Sequence, residues 1–167
     1  AIMTYIKDVL KPKIEKGDTV FIQSPYRAQI NAIREEVQRK FPDLYERIRI
    51  DTTDASQGSE FDHVVLSCVG KEKNDAFFKD DLGRGNVACS RHKKTLCIVG
   101  SSELIQSSST EIGAFVTCAK SIADNDPSLQ QCIRVVGDPS ELKKFFNGDY
   151  HGSVASVGAN SLSVSHI

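Results

Sequence analysis

The chain reads as an α/β domain with a mostly parallel sheet and helices on both faces, and three observations predict this. Short unbroken apolar blocks at 20–22, 64–66 and 96–99 are rich in strand formers. They lack the polar alternation of a half-exposed strand, so they suit strands covered on both sides. An amphipathic helical pattern follows the first block directly, and the order helix, strand, helix, strand, strand, loop, helix, strand favours crossover connections in one sheet.

Ile2, Ile6, Val9 and Leu10 recur at helical spacing, and Pro12 is expected to end or interrupt that run. Gly17 and Asp18 turn the chain into the first strand, TVFIQS. The segment PYRAQINAIREEVQRKF then places Ile30, Ile33, Val37 and Phe41 on one stripe, with Arg34, Glu35, Gln38 and Arg39 outside, as an amphipathic helix opening at Pro25. IRIDTT, HVVLSCV and TLCIVG supply three more strands, the last two being the central candidates. Between those two, KEKNDAFFKDDLGRG reads as a polar loop and NVACSRH as a short helix capped by Gly85 or Asn86. Farther on, SSELIQSSS is expected as a turn or short helix, TEIGAFVTCAKSIA as a helix, CIRVV as one more strand and PSELKKFFN as a short helix. The last stretch, GSVASVGANSLSVSHI, has no long apolar period and is expected to be flexible. The expected organisation is therefore a domain over 1–125 and a partly flexible C-terminal extension over 126–167.

At 167 residues the chain is long enough for one real core. Its 21 basic and 22 acidic residues leave a formal net charge of -1, so any nucleic-acid contact must come from local groups. The 5 cysteines are scattered without Cys-x-x-Cys spacing and read as reduced, intracellular thiols. No apolar stretch approaches the roughly 20 residues of a membrane span, and no membrane partner is expected. Ala1–Leu10 has no leader layout and reads as a helix already under way within a longer protein. No Gly-x-x-x-x-Gly-Lys-Ser/Thr sequence occurs, so the loop that cradles nucleotide phosphates must come from elsewhere.

Three clusters carry chemistry. In TTDASQGSEFD, Gln57 offers a donor and an acceptor, Gly58 permits close backbone approach, and Glu60 accepts from hydroxyls. The structural alternative is a turn with Asx and Ser caps. In GRGNVACSRHKK, Arg91 stands where its fixed cationic fork can meet a transferring phosphoryl group, against the alternative of a solvated or salt-bridged side chain. In QSPYRAQ, a strand ends in Ser24 and a helix opens on Pro25, Tyr26 and Arg27, where backbone amides and an aromatic ring can meet a nucleic-acid strand. Capping by Ser24 and Pro25, with Tyr26 packed on the sheet, is the alternative.

Taken in this order, the clusters resemble the C-terminal motor domain of superfamily 1 helicases, Upf1-like group. Ser24, Pro25, Tyr26 and Gln29 match motif IVa, Thr53, Asp54, Gln57, Gly58 and Glu60 match motif V, and Arg84, Asn86, Val87, Ala88, Ser90 and Arg91 match motif VI. The resemblance implies a three-layer RecA-like fold of the P-loop NTPase type. It also implies an ATP-dependent helicase in which Arg91 is the arginine finger, and Gln57, Gly58, Glu60 and Arg84 border the nucleotide. Ser24, Pro25, Tyr26, Arg27 and Thr53 would then approach the backbone of single-stranded RNA or DNA. The parent would use ATP and Mg2+ and move 5' to 3', with an N-terminal RecA-like domain of the same chain as partner; the present residues alone would be inactive. The implied location is cytoplasmic or nuclear. Gly83 and Gly85 stand where an arginine and a bulky apolar residue are common, Ser90 replaces threonine, His92 replaces alanine, and Ser59 takes a position that is arginine in some members. These departures keep a second expectation open, a degenerate helicase-like scaffold. A self-contained α/β enzyme using Cys68 or Cys89 is the third, and no His and Asp arrangement stands beside either cysteine in the sequence.

Overall fold

The structure, a computed structural model, describes residues 1–68, 82–101, 111–126, 133–136 and 161–165. Helix α1 (Ile2–Tyr5) passes through one π-type turn (Ile6–Leu10) into α2 (Lys11–Glu15). Pro12 therefore interrupts the helix without ending it. A proline ring collides with the carbonyl four residues back, and here the turn before it is widened, with the Lys11 N–H bonded to Ile6 O. Burial of Tyr5, Ile6, Val9, Leu10 and Ile14 holds the two halves to the sheet. The helix stops at Gly17, whose φ of 101° favours glycine, with Gly17 N–H donating to Ile14 O and Asp18 N–H to Lys13 O.

Strands β1 (Val20–Ser24), β2 (Ile48–Thr52), β3 (Phe61–Ser67) and β4 (His92–Val99) are parallel, and two antiparallel strands, β5 (Ile133–Val136) and β6 (Ser161–Ser165), complete the order β2-β1-β3-β4-β6-β5. The two strands expected to be central, β3 and β4, are adjacent in the middle of this order. The predicted strand CIRVV is β5. The strand β6 falls within the stretch expected to be flexible: SLSV alternates small polar and apolar residues, a pattern too short to read alone that takes meaning from the open edge of β4. Both strands lie beyond residue 125 yet extend the same sheet.

Two apolar clusters sandwich the sheet. On one face, Val20, Ile22, Ile48, Ile50, Val65 and Cys97 meet α1, α2 and helix α3 (Arg27–Lys40) through residues such as Leu10, Ile30 and Val37. On the other, Phe21, Val64, Leu66, Leu96 and Ile98 meet helix α5 (Leu82–Cys89) and helix α6 (Glu111–Asn125) through Ala88, Cys89, Ile112 and Val116. A short helix α4 (Pro42–Tyr45) buries Leu44 beside the first cluster. The result is the three-layer architecture expected, with a mostly parallel sheet. All of SSELIQSSS beyond Ser101, the segment PSELKKFFN and most of the loop KEKNDAFFKDDLGRG lie outside the described residues.

Candidate functional site

The parallel pairing sets Ser24 opposite Thr52, so the segment 24–27 and Thr53 leave the sheet at one edge, the carboxyl ends of β1 and β2. Ser24 is fully buried, and its hydroxyl donates to Ser67 O at 2.9 Å. Gln29 Nε2 donates to Ser67 Oγ at 3.2 Å, so motif IVa grips the end of β3 from two sides. Pro25 is half-buried, whereas Tyr26, at 38 % exposure, and Arg27 face outward. Helix α3 opens at Arg27 and not at Pro25: Tyr26 occupies its N-cap in an extended conformation, and no side chain caps it. Thr53 is buried, its carbonyl accepts from Ser56 Oγ at 2.6 Å, and its own Oγ1 has no hydrogen-bond partner.

From Thr53 the chain returns through a 3-10 turn (Thr53–Ser56) to the opposite edge, where β3 and β4 begin. Arg49 steadies this return. Its guanidinium donates to Ala55 O at 2.7 Å and lies over the Phe21 and Phe61 rings, at 5.7 and 5.6 Å from their centroids. Gly58 has a φ of 80°, and a Cβ there would meet nothing within 4 Å, so the bend of the chain itself accounts for this glycine within the domain, not crowding by neighbours. Gln57 and Glu60 are exposed. At the end of the return, Phe61 N–H donates to Arg91 O at 2.9 Å, and Lys93 Nζ lies 3.8 Å from Glu60. Motifs V and VI thereby share the amino edge of β3 and β4. The Arg91 side chain donates from Nη2 to Ser90 Oγ at 2.8 Å, and its Nε is buried without a partner.

Helix α5 begins at Leu82 and ends at Cys89, so Gly85 and Asn86 lie inside it instead of capping it, and Arg91 lies beyond its end. Burial of Ala88 and Cys89 against the sheet carries the helix across the glycines, as tertiary packing commonly overrides weak propensity. Arg84 lies in this helix. Cys68 and Cys89 are buried in the apolar core as thiols outside any disulfide.

Beside the Glu60–Arg91 edge sits a polar cluster that sequence reading did not single out. His63 is buried, with Nε2 2.9 Å from Asp18 Oδ2 and Nδ1 2.7 Å from Thr95 Oγ1. Thr19 N–H and Oγ1–H both donate to Asp62 Oδ2, at 2.9 and 2.8 Å. Lys94 Nζ bridges Asp18 at 2.6 Å and Asp62 at 3.2 Å. Burial pushes the Asp62 carboxyl up, but the Thr19 donors and the Lys94 ammonium overcome it and hold the carboxyl at about 2. Burial likewise opposes ionisation of Asp18, and Lys94 and His63 outweigh it, so that its pKa is lowered. Burial, together with the nearby Lys13 and Lys94 charges, lowers the pKa of His63 despite its Asp18 partner. The cluster anchors the α2–β1 turn to β3 and β4. Gln23 was also overlooked: it is a lone amide in an apolar block, fully buried, and its Nε2 donates to Ala88 O at 2.7 Å while its Oε1 has no partner.

A parallel sheet flanked on both faces, with one polar edge carrying Arg91 and Glu60 and another carrying Tyr26 and Arg27, defines a RecA-like α/β domain of the P-loop type. Residues 1–103 match the family model described as an AAA domain. Helicase SEN1 of Saccharomyces cerevisiae is 31% identical over 102 residues, 59% of this chain and 5% of that protein. The uncharacterized ATP-dependent helicase MJ0104 of Methanocaldococcus jannaschii is 33% identical over 105 residues, 63% of this chain and 14% of that protein. ATP-dependent helicase NAM7 of Saccharomyces cerevisiae is 34% identical over 89 residues, 51% of this chain and 9% of that protein. The chain belongs to this AAA-domain family and, within it, to the Upf1-like helicases of superfamily 1. It spans a small part of the length of each of these relatives. Among the described residues, no helix is long and apolar enough to cross a membrane.

Proposed function

We propose that this chain is the second of two RecA-like motor domains of an ATP-dependent RNA or DNA helicase. The observation that carries the reading is the division of labour between the two edges of the sheet. Glu60 and Arg91 are drawn together at one edge by the Phe61–Arg91 backbone bond, while Tyr26 and Arg27 stand exposed at the other.

In this reading the sequence's lack of a phosphate-cradling loop gives the main nucleotide site to the N-terminal RecA-like domain of the same protein, with Gln57, Gly58, Glu60 and Arg84 bordering it from this side. Mg2+, when bound there, would neutralise phosphate charge, and among the described residues no group of three or more His, Cys, Asp or Glu could hold such an ion. A buried guanidinium nitrogen without a partner at Arg91 fits an anion arriving from across the cleft, because an unpaired buried donor gains most from a charged acceptor. Closure of the two domains brings Arg91 to the phosphoryl group, where it stabilises developing negative charge. Tyr26 stacks on a base and Arg27 pairs with a phosphate. Ser24 and Thr53, both buried, hold that segment in place beneath them, and Pro25 fixes its entry. Contacts of this kind track the strand without reading sequence, and each closure shifts them along it, 5' to 3'.

The test is ATP turnover by the full-length parent with and without single-stranded RNA or DNA, beside Arg91→Ala. Strand-stimulated turnover that falls roughly 10³-fold or more in the variant is the expected result. Turnover indifferent to Arg91 removes the finger, and an absence of turnover in the unaltered parent moves the reading to a degenerate scaffold.

A further inference from the structure

We infer that Gln23 is a positioning residue that couples the strand-contacting segment to Arg91, an inference that rests on the motor reading above. Gln23 immediately precedes Ser24–Arg27 and sits on the sheet face occupied by α5, the side chain wholly buried. Its amide reaches 65 residues along the chain to donate to Ala88 O at 2.7 Å. Ala88 lies in the last turn of α5, where carbonyls have outrun the donors of their own helix. Gln23 therefore caps the carboxyl end of α5 from inside the sheet.

What leaves that end is Ser90–Arg91. Phe61 N–H holds Arg91 O from one side, and the Gln23 bond fixes the helix end three residues before it. A displacement of β1's end on strand engagement thus reaches Arg91 through one hydrogen bond and a short stretch of backbone. Its neighbours Phe21, Leu66 and Ala88 are apolar and buried, and the Gln23 Oε1 is buried without a partner. An apolar side chain of similar length would remove the orphan Oε1 but leave the buried Ala88 carbonyl without this donor, so the two effects on stability oppose each other. The amide thus ties β1 to the end of α5 while leaving its own acceptor unmet, and that link is the geometry that points to coupling.

The experiment uses the full-length parent carrying Gln23→Met, which keeps length and volume, and Gln23→Leu, each of which removes the donor to Ala88 O without placing a charge in the apolar site. Thermal melting, strand affinity, and ATP turnover with and without single-stranded RNA or DNA are measured for each. The expected result for Gln23→Met is at most a small fall in melting temperature, unchanged strand affinity and basal turnover, and loss of strand stimulation by about 5-fold or more, the lower end of usual coupling. Gln23→Leu is expected to lose stimulation likewise. Stimulation retained in Gln23→Met overturns the coupling and leaves the motor reading standing. Parallel loss of melting temperature, basal turnover and stimulation makes Gln23 a structural residue and also overturns it. An unaltered parent without strand stimulation overturns both readings.

Discussion

Asp62 shows what a single side chain contributes at the Glu60–Arg91 edge. It accepts twice from Thr19 and once from Lys94, and its pKa falls from 3.8 to about 2 on folding. The sign follows directly. An acid whose folded pKa is depressed adds stability at pH values above its unfolded pKa and loses it as pH falls through the folded one. The shift corresponds to about 2 kcal/mol at most, and partial exposure reduces this to about 1–2 kcal/mol. Asp62→Asn is therefore expected to lower unfolding free energy by about that amount at pH 7, measured by urea titration. The difference from the unaltered chain should shrink as pH falls below 3.8 toward 2. His63 works in the same direction by the opposite chemistry: burial lowers its pKa below 6.5, so beneath that value the unfolded chain takes up a proton the folded chain resists. A constant Asp62→Asn difference across the acid range would show that Thr19 and Lys94 do not select the ionised carboxylate.

At the scale of elements, β4 depends on a strand that the sequence did not advertise. Thr95 and Leu96 pair with Ser165 and Val164 of β6, which in turn carries β5. Without β6 the central β4 becomes an open edge, and an unpaired edge of apolar residues invites pairing with other chains. Deleting residues 161–167 is expected to lower the melting temperature and raise light scattering at equal concentration, whereas deletion without either effect would make β6 dispensable. Why β6 was illegible and β1 to β4 were not is a matter of context. VFI, VVL and LCIV carry enough apolar side chains to demand cover on both faces, and the helix stripes through Ile30, Ile33 and Val37 match the buried set. SLSV has only two apolar residues, and its strand identity comes from the donors and acceptors of β4. The start of α5 was misread for a related reason: Gly83 and Gly85 argue against a helix locally, and burial of Ala88 and Cys89 decides otherwise. The motif residues were legible because their types match a family pattern. Gln23, Asp18, Asp62 and Thr95 match none, and only the folded register brings them to their partners.

Across the whole molecule, the sheet separates the two kinds of contact that the proposed motor would link. Tyr26 and Arg27 stand at the carboxyl ends of β1, and Glu60 and Arg91 stand before the amino ends of β3 and β4, so one strand length lies between them. A rigid slab of this kind, gripped on both faces by apolar clusters, transmits a displacement better than it absorbs one, since close-packed cores deform little. It also insulates: a side chain removed at one edge leaves the other edge's geometry intact. The proposed motor therefore predicts a double dissociation in the full-length parent. Tyr26→Ala is expected to weaken single-strand binding by about 1–3 kcal/mol, the usual value of a stacked base, with nucleotide KM unchanged in the absence of strand. Arg91→Ala is expected to reduce turnover by roughly 10³-fold or more with strand affinity unchanged in the absence of nucleotide. Filter binding and steady-state turnover on the same two variants decide it. If Tyr26→Ala moves nucleotide KM, or Arg91→Ala moves strand affinity, then the edges are not insulated by the sheet, and the segment 24–27 and Arg91 form one site instead of two joined by a lever.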